Sequence, residues 1–108
     1  MYDYRCDVIR IIDGDTLELN IDLGFNCWYR SPARLKGIDA PELDGITKDE
    51  GLRSKDALSS MVLNVPCIVN TEFHREKDKY GRCLVTLYAN GRNINQAMLA
   101  GGFASPYK

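Results

Sequence analysis

The chain has few of the residues from which zinc sites are built. Its 108 residues include one histidine and four cysteines, and no two cysteines form a Cys-x-x-Cys pair. A structural zinc site needs four suitably spaced cysteine or histidine ligands, so this sequence argues against one. We expect the cysteines to be reduced thiols of a cytoplasmic protein. They are Cys6, Cys27, Cys67 and Cys83.

Long apolar segments are also missing. No run approaches the length of a membrane-spanning helix, and Met1 opens directly into a strand-like pattern without the apolar core of a secretion signal. These absences predict a cytoplasmic location and no membrane partner. Nothing in the sequence indicates an obligate protein partner.

The chain carries no excess of positive charge. Its formal net charge is -1 and its sequence pI is about 5.8. This balance argues against a protein that coats nucleic acid through bulk electrostatics, so a polyanion would have to be bound at a local basic site. The length and the hydrophobic content of 44% are typical of one globular domain, which we expect to cover residues 1–108.

Alternating apolar residues predict five short strands. The first two flank a hairpin turn at Asp13-Gly14, and the others run over about 27–36, 67–73 and 83–89. A bulge near Ser31-Pro32 is expected to interrupt the third strand, because proline cannot donate to a ladder.

Helical spacing of apolar residues predicts two helices. The first covers about 48–64 and is opened by a capping box at Thr47-Lys48-Asp49-Glu50, and a short second helix covers about 93–100. The order of elements fits a mainly β (α+β) fold. We expect a five-stranded OB-type β-barrel with one helix between strands 3 and 4 and a short helix near the C-terminus.

Three short segments concentrate the reactive groups. The run Arg34-Leu35-Lys36-Gly37-Ile38-Asp39-Ala40-Pro41-Glu42 places a guanidinium, two carboxylates and a Gly/Pro-bounded turn close together. Carboxylates can hold a divalent cation or take a proton from water, and an arginine fork can bind phosphate oxygens. Asp13-Gly14-Asp15-Thr16 adds carboxylates, and Asp78-Lys79-Tyr80-Gly81-Arg82 adds a second arginine.

Each segment also has an ordinary structural interpretation. Asp-Gly is a favoured turn pair, which is enough to account for Asp13. Asp39 would ordinarily be a turn residue, Glu42 a solvated charge, and a strand arginine such as Arg34 would ordinarily lie on a solvated face. The combination of the three segments is what favours a site.

The motifs Asp-Gly-Asp-Thr, Arg-x-x-x-Ile-Asp-x-Pro-Glu and Asp-Lys-Tyr-Gly-Arg, in this order, resemble those of the staphylococcal nuclease family. The resemblance runs from about Val8 to Tyr107. It implies an OB-type barrel and calcium-dependent hydrolysis of DNA and RNA that leaves 3′-phosphate and 5′-hydroxyl ends. The third helix of the family would lie beyond Lys108, so we expect a marginally stable barrel that its ligands stabilise.

The resemblance also implies a role for each matching residue. The calcium ligands would be the carboxylates of Asp15 and Asp39 and the backbone carbonyl of Ala40. The catalytic residues would be two phosphate-binding arginines and a general base, namely Arg34, Arg82 and Glu42. The expected substrate contacts are Lys79, Tyr80 and Tyr107.

Two other classes of function fit the same chain. An OB module of nuclease ancestry would bind nucleic acid without cutting it, and an interaction adaptor would keep the site only as a vestige, which the near-neutral charge favours. The presence of all five charged site residues favours the nuclease. Its partner would be DNA, RNA or both, with single strands preferred and cleavage tolerant of sequence, because phosphate clamps and aromatic stacking do not read base edges.

Overall fold

The structure, a computed structural model, describes residues 2–71 and 82–107. Eight strands and two helices occur in these ranges, with a 3-10 turn at Gly45–Thr47. In chain order they are β1 (Tyr2–Asp13), β2 (Thr16–Asp22), β3 (Trp28–Leu35), β4 (Ile38–Asp39), α1 (Lys48–Val62), β5 (Cys67–Thr71), β6 (Cys83–Ala89), β7 (Arg92–Asn93), α2 (Ile94–Ala100) and β8 (Ser105–Pro106).

Five strands form a closed barrel. They lie in the order β3-β2-β1-β5-β6, each antiparallel to its neighbour, and a parallel pairing of β3 with β6 closes the sheet. The predicted five-stranded OB-type barrel with one helix between its third and fourth strands and a short helix near the C-terminus is therefore confirmed. The two-residue strands β4, β7 and β8 were not predicted, because two residues are too few to show an alternating pattern.

The helices begin where the sequence predicts, but the predicted capping box of α1 is wrong. Helix α1 starts at Lys48, yet the Thr47 side chain makes no capping hydrogen bond. Its hydroxyl instead donates to the carbonyl of Glu42, 3.0 Å away. The Thr47 hydroxyl is therefore bonded to the preceding loop and not to the first turn of α1. No helix in residues 2–71 and 82–107 is long and apolar enough to cross a membrane.

The bulges of the barrel lie in β1 and not in β3. Strands β2 and β3 pair without interruption from Thr16 opposite Arg34 to Asp22 opposite Trp28, so the bulge predicted near Ser31-Pro32 is wrong. Register shifts occur instead in β1, within the segment 8–13. Extra residues in β1 increase the local bend and twist of the sheet, which helps it to close.

The core lies inside the barrel and under both helices. Inward positions alternate along each strand, as the period of two requires. Leu58 and Val62 bring α1 onto this core, and Ile94 and Met98 bring α2. The fully buried strand side chains include Leu17, Leu19, Leu35, Val69 and Leu87.

One buried amide joins α2 to the barrel. The Asn95 amide nitrogen donates to the carbonyls of Lys36 and Val85, at 2.9 and 3.0 Å, and its oxygen accepts from the backbone nitrogen of Leu87 at 3.0 Å. Asn95 is 4% exposed. Because its partners belong to β6 and to the residue after β3, the amide fixes the parallel closure that the barrel needs.

Replacing Asn95 by alanine should therefore destabilise the fold. The change removes three hydrogen bonds and leaves a buried backbone donor unpaired, so we expect a loss of about 3 kcal/mol in the free energy of unfolding. Urea denaturation measures it. The neighbouring exposed Gln96→Ala is the control and should stay within ~0.5 kcal/mol of the parent. Equal denaturation midpoints for the two variants would contradict the role given to Asn95.

Candidate functional site

One open cleft of about 640 Å3 brings together most of the residues that the sequence predicts for a site. It lies where the β1–β2 turn, the loop after β3 and the start of β6 meet. The predicted residues that line it are Asp15, Arg34, Asp39, Ala40, Glu42, Arg82 and Tyr107. The two remaining predicted substrate contacts, Lys79 and Tyr80, lie outside the described residues.

Backbone hydrogen bonds fix these segments against one another. The backbone nitrogen of Leu35 donates to the carbonyl of Asp15 at 2.8 Å, and that of Lys36 donates to the carbonyl of Val85 at 2.8 Å. The end of β3 is thereby tied both to the β1–β2 turn and to β6. Side chains from distant parts of the sequence are held on a rigid frame.

The Arg34 guanidinium is buried between two carboxylates. Its Nη2 atom lies 3.3 Å from Asp15 Oδ2 and 3.2 Å from Asp39 Oδ1. The side chains of Arg34 and Asp15 are 10% and 9% exposed, whereas that of Asp39 is 59% exposed. One positive charge therefore compensates a buried and a solvated carboxylate at the same time.

Two further contacts hold the guanidinium in place. Arg34 Nη1 donates to the carbonyl of Ile38 at 3.1 Å, and the Tyr107 ring stacks on the guanidinium, with 4.7 Å from Cζ to the ring centroid. Tyr107 is itself fixed, because its backbone nitrogen donates to the carbonyl of Gly37 at 3.0 Å. Tyr107, predicted as a substrate contact, thus also orders an arginine of the cleft.

Asp15 is the most constrained acid of the cleft. Its carboxylate accepts hydrogen bonds from the backbone nitrogen of Ala40 and from the hydroxyl of Thr16, both at 2.9 Å. Burial raises the pKa of Asp15, the neighbouring Asp13 side chain raises it further, and the Ala40 N–H lowers it. A cation beside this carboxylate would favour its charged form.

Asp13 has the turn role that its position predicts. Its Oδ1 accepts a hydrogen bond from the backbone nitrogen of Asp15 at 3.0 Å, which closes a local turn. A Cβ on Gly14 would overlap Ser54 Oγ of α1 and would lie 2.8 Å from Ala40 Cβ. Only glycine fits there, so the turn that carries Asp15 packs directly against α1 and the neighbouring loop.

The second arginine is linked to the first acid through a threonine. Arg82 Nη1 donates to Thr16 Oγ1 at 3.3 Å, and the same hydroxyl donates to Asp15 Oδ1. Thr16 belongs to the Asp-Gly-Asp-Thr motif, but the motif alone does not indicate a role for it. The side chains of Arg34 and Arg82 both line the cleft, so two cations face one space.

Glu42 is exposed and lies at the cleft wall on a loop that α1 supports. Its carbonyl accepts the hydrogen bond from Thr47. A Cβ on Gly51 would overlap that carbonyl oxygen and would lie 3.1 Å from Leu43 Cα. Gly51 and Thr47 therefore set the position of Glu42. A glycine inside a helical pattern was the available signal for such a close approach.

Asp15 and Asp39 are the acids that could hold a cation together, because both carboxylates converge on the same Arg34 nitrogen atom and therefore lie close to one another. Their oxygens are hard donors of the kind that calcium and magnesium prefer. Within residues 2–71 and 82–107, no cluster of three or more His, Cys, Asp or Glu side chains is arranged to hold a metal ion.

Comparison with known proteins relates this chain to nucleases. The profile of the family described as "Staphylococcal nuclease homologue" matches residues 32–108. "Protein ParB" of Escherichia coli is 33% identical, covering 98% of this chain and 59% of that protein. An "Uncharacterized endonuclease" of Escherichia coli O157:H7 is 38% identical, covering 98% of this chain and 63% of that protein. "Micrococcal nuclease" of Shigella flexneri is 31% identical, covering 98% of this chain and 60% of that protein. The chain spans less than two thirds of the length of these curated relatives.

The contact between Gly51 and Glu42 can be tested by the sign of a stability change. Helix propensity alone would make Gly51→Ala stabilising by about 1 kcal/mol. Overpacking against the Glu42 carbonyl typically costs 1–3 kcal/mol, so we expect a net loss of about 1 kcal/mol in the free energy of unfolding. Urea denaturation gives the sign, and backbone amide shifts of Glu42 and Leu43 should change.

Arg53→Ala, at an exposed position of the same helix, is the matched control. It should leave the amide shifts of the Glu42 loop unchanged. A Gly51→Ala variant more stable than the parent would show that the helix does not press on Glu42.

Proposed function

The chain belongs to the staphylococcal nuclease homologue family, and we propose that it is a nuclease that hydrolyses phosphodiester bonds in DNA, RNA or both with the help of calcium. The observation that carries this proposal is the cleft itself, which joins two arginines, a pair of acids around Arg34 and an exposed glutamate. The family resemblance adds 3′-phosphate and 5′-hydroxyl ends as the expected products.

The two arginines account for binding of the phosphate. A phosphodiester that enters the cleft meets Arg34 and Arg82, whose guanidinium groups can each donate to its nonbridging oxygens. Charge on those oxygens grows as water attacks and phosphorus becomes five-coordinate. Preorganised donors that meet such charge typically contribute 10²–10³-fold in rate each, or roughly 3–4 kcal/mol.

Glu42 has the features of a general base. It is exposed, so its carboxylate is solvated and can accept a proton from a water molecule, and its backbone is held by Thr47 and Gly51. In the proposed reaction Glu42 takes a proton from the attacking water, the new P–O bond forms and the bond to the 5′ oxygen breaks. The leaving 5′ oxygen takes up a proton from solvent and becomes the 5′-hydroxyl. No covalent enzyme intermediate is involved.

Asp15, Asp39 and the Ala40 carbonyl would hold the calcium ion. Calcium accepts six to eight oxygen ligands in flexible geometry, so two carboxylates and one carbonyl leave room for water and phosphate. When bound, the ion supplies a positive charge that polarises the phosphate. Magnesium should support cleavage poorly, because these ligands do not fix a tight octahedron.

Glu42→Gln tests the general base. The amide keeps the shape of the side chain but cannot take the proton of water, so we expect kcat to fall by about 10²–10⁴-fold with nucleotide affinity nearly unchanged. The assay is calcium-dependent nicking of a plasmid, with a chelator as the blank. Glu50→Gln, an exposed glutamate of α1, is the control. Cleavage by Glu42→Gln at the parent rate would remove Glu42 as the base.

The metal site is tested by Asp15→Ala and Asp39→Ala, with the exposed Asp56→Ala of α1 as the matched control. Loss of one carboxylate of two should weaken calcium binding by roughly tenfold, and activity should fall with it. Isothermal titration calorimetry measures the affinity. Unchanged calcium affinity in both variants would rule out these ligands.

Binding without cutting is the second candidate, because the two arginines that line the cleft can bind a phosphate whether or not its ester bond is cut. A parent protein that binds an oligonucleotide with calcium present, but leaves plasmid and oligonucleotide intact, would be a binding module.

A further inference from the structure

The β2–β3 hairpin ends in aromatic side chains that the rest of the barrel does not cover. Phe25 is fully exposed, and Trp28 is 49% exposed. We refer to Phe25 and Trp28 as the aromatic tip. Large exposed apolar side chains grouped at one site usually mark a contact surface. The cleft does not include either residue.

The turn between β2 and β3 presents Phe25 to solvent. Phe25 and Asn26 have φ angles of 55° and 61° and occupy the two central positions of a tight turn, in which the backbone nitrogen of Cys27 donates to the carbonyl of Gly24 at 2.9 Å. Positive φ angles at both central positions match the twist of a hairpin. The hairpin therefore fixes the backbone at Phe25 and leaves its ring free to make a contact.

Strand β3 connects the aromatic tip to the cleft along one face. Alternation places Trp28, Arg30, Pro32 and Arg34 on the same outer side of the strand, opposite the inward positions that fill the barrel. Trp28 and Arg34 are six residues apart on the strand, which corresponds to about 20 Å. A chain that leaves the cleft along β3 therefore reaches the tip.

The charges around Arg30 favour a polyanion. Arg30 and Arg10 are 64% and 67% exposed in their side chains, and both pair with the same carboxylate, Glu18, at 2.9 and 3.7 Å. One carboxylate for two arginines leaves a net positive charge. The Asp22 carboxylate lies opposite Trp28 and accepts from the Gly24 backbone nitrogen at 2.9 Å, so the positive charge of the face is centred on Arg30 and not on the tip.

We propose that the outer face of β3, from Arg34 through Arg30 to the aromatic tip, is an extended binding site for single-stranded nucleic acid that continues the strand held in the cleft. Arg30 contacts a phosphate, and Trp28 and Phe25 stack on unpaired bases. Stacking suits single strands, because the bases of a duplex are already stacked on one another. This proposal rests on the proposed function for the direction in which the strand runs.

Trp28 is the single tryptophan of the chain, so its fluorescence reports directly on the tip. The experiment uses the Glu42→Gln variant of the full chain, which keeps the oligonucleotide intact, in the presence of calcium. A twelve-nucleotide oligothymidylate should quench the emission in a saturable titration. A thymidine dinucleotide binds in the cleft and is too short to reach the tip, so it should leave the emission unchanged.

Substitutions then assign the affinity to the tip. In the same background, Phe25→Ala and Arg30→Ala should each raise the Kd of a labelled twelve-mer about tenfold, measured by fluorescence anisotropy, with the dinucleotide affinity unchanged. Ile68→Ala, which removes an exposed apolar side chain from β5, is the control and should change neither value.

Several results would overturn the proposal. One is Trp28 emission that does not change when the twelve-mer is added. Another is equal quenching by a duplex of the same length, and a third is a Kd for the twelve-mer in the Phe25→Ala and Arg30→Ala variants equal to that of the parent. Quenching that depends on protein concentration without nucleic acid, with dimers in sedimentation, would assign the tip to a second copy of the chain.

The parent protein's cleavage assay is scored separately. Cleavage without an effect at the tip overturns only this inference, and an effect at the tip without cleavage overturns only the proposed function.

Discussion

The buried guanidinium of Arg34 is the group on which the site depends. A buried cation is tolerated only if its charge and its donors are matched, and removing one partner of such a pair typically costs 3–5 kcal/mol. Here the partners are Asp15 from the β1–β2 turn, Asp39 and the Ile38 carbonyl from β4, and Tyr107 after β8. Three separate parts of the chain converge on one side chain, so the fold that closes the barrel also assembles the cleft.

This pairing also has consequences for ligands. Asp15 and Asp39 share one positive charge, so a calcium ion would compete with Arg34 for the carboxylates, and a phosphate would compete with the carboxylates for Arg34. Each ligand would release the group that the other one needs. Binding free energies that are linked in this way are reciprocal, so calcium and nucleotide should each strengthen the binding of the other. Arg82 is connected to Asp15 through the Thr16 hydroxyl.

The sequence predicted the strands and helices whose pattern lies within one short segment. It missed contacts between residues that are far apart in the chain. The long strands and α1 follow from periodicity, and the hairpin turn follows from Asp13-Gly14. The capping box failed because the Thr47 hydroxyl has a better partner in Glu42, which only the folded loop provides. Motifs placed the acids and arginines in one cleft, but the link from Arg82 to Thr16 spans 66 residues and has no local signature. The stacking of Tyr107 on Arg34 depends on the same long-range closure.

Strand β3 shows how one short strand can serve both stability and recognition. Its inward side chains Ser31, Ala33 and Leu35 are buried in the barrel, and its outward side begins at the exposed Trp28 and ends at the buried Arg34. Burial along the outward row rises as the strand enters the cleft. The acids that line the cleft outnumber its bases, so a polyanion is met there by arginines held in fixed positions and not by an excess of positive charge.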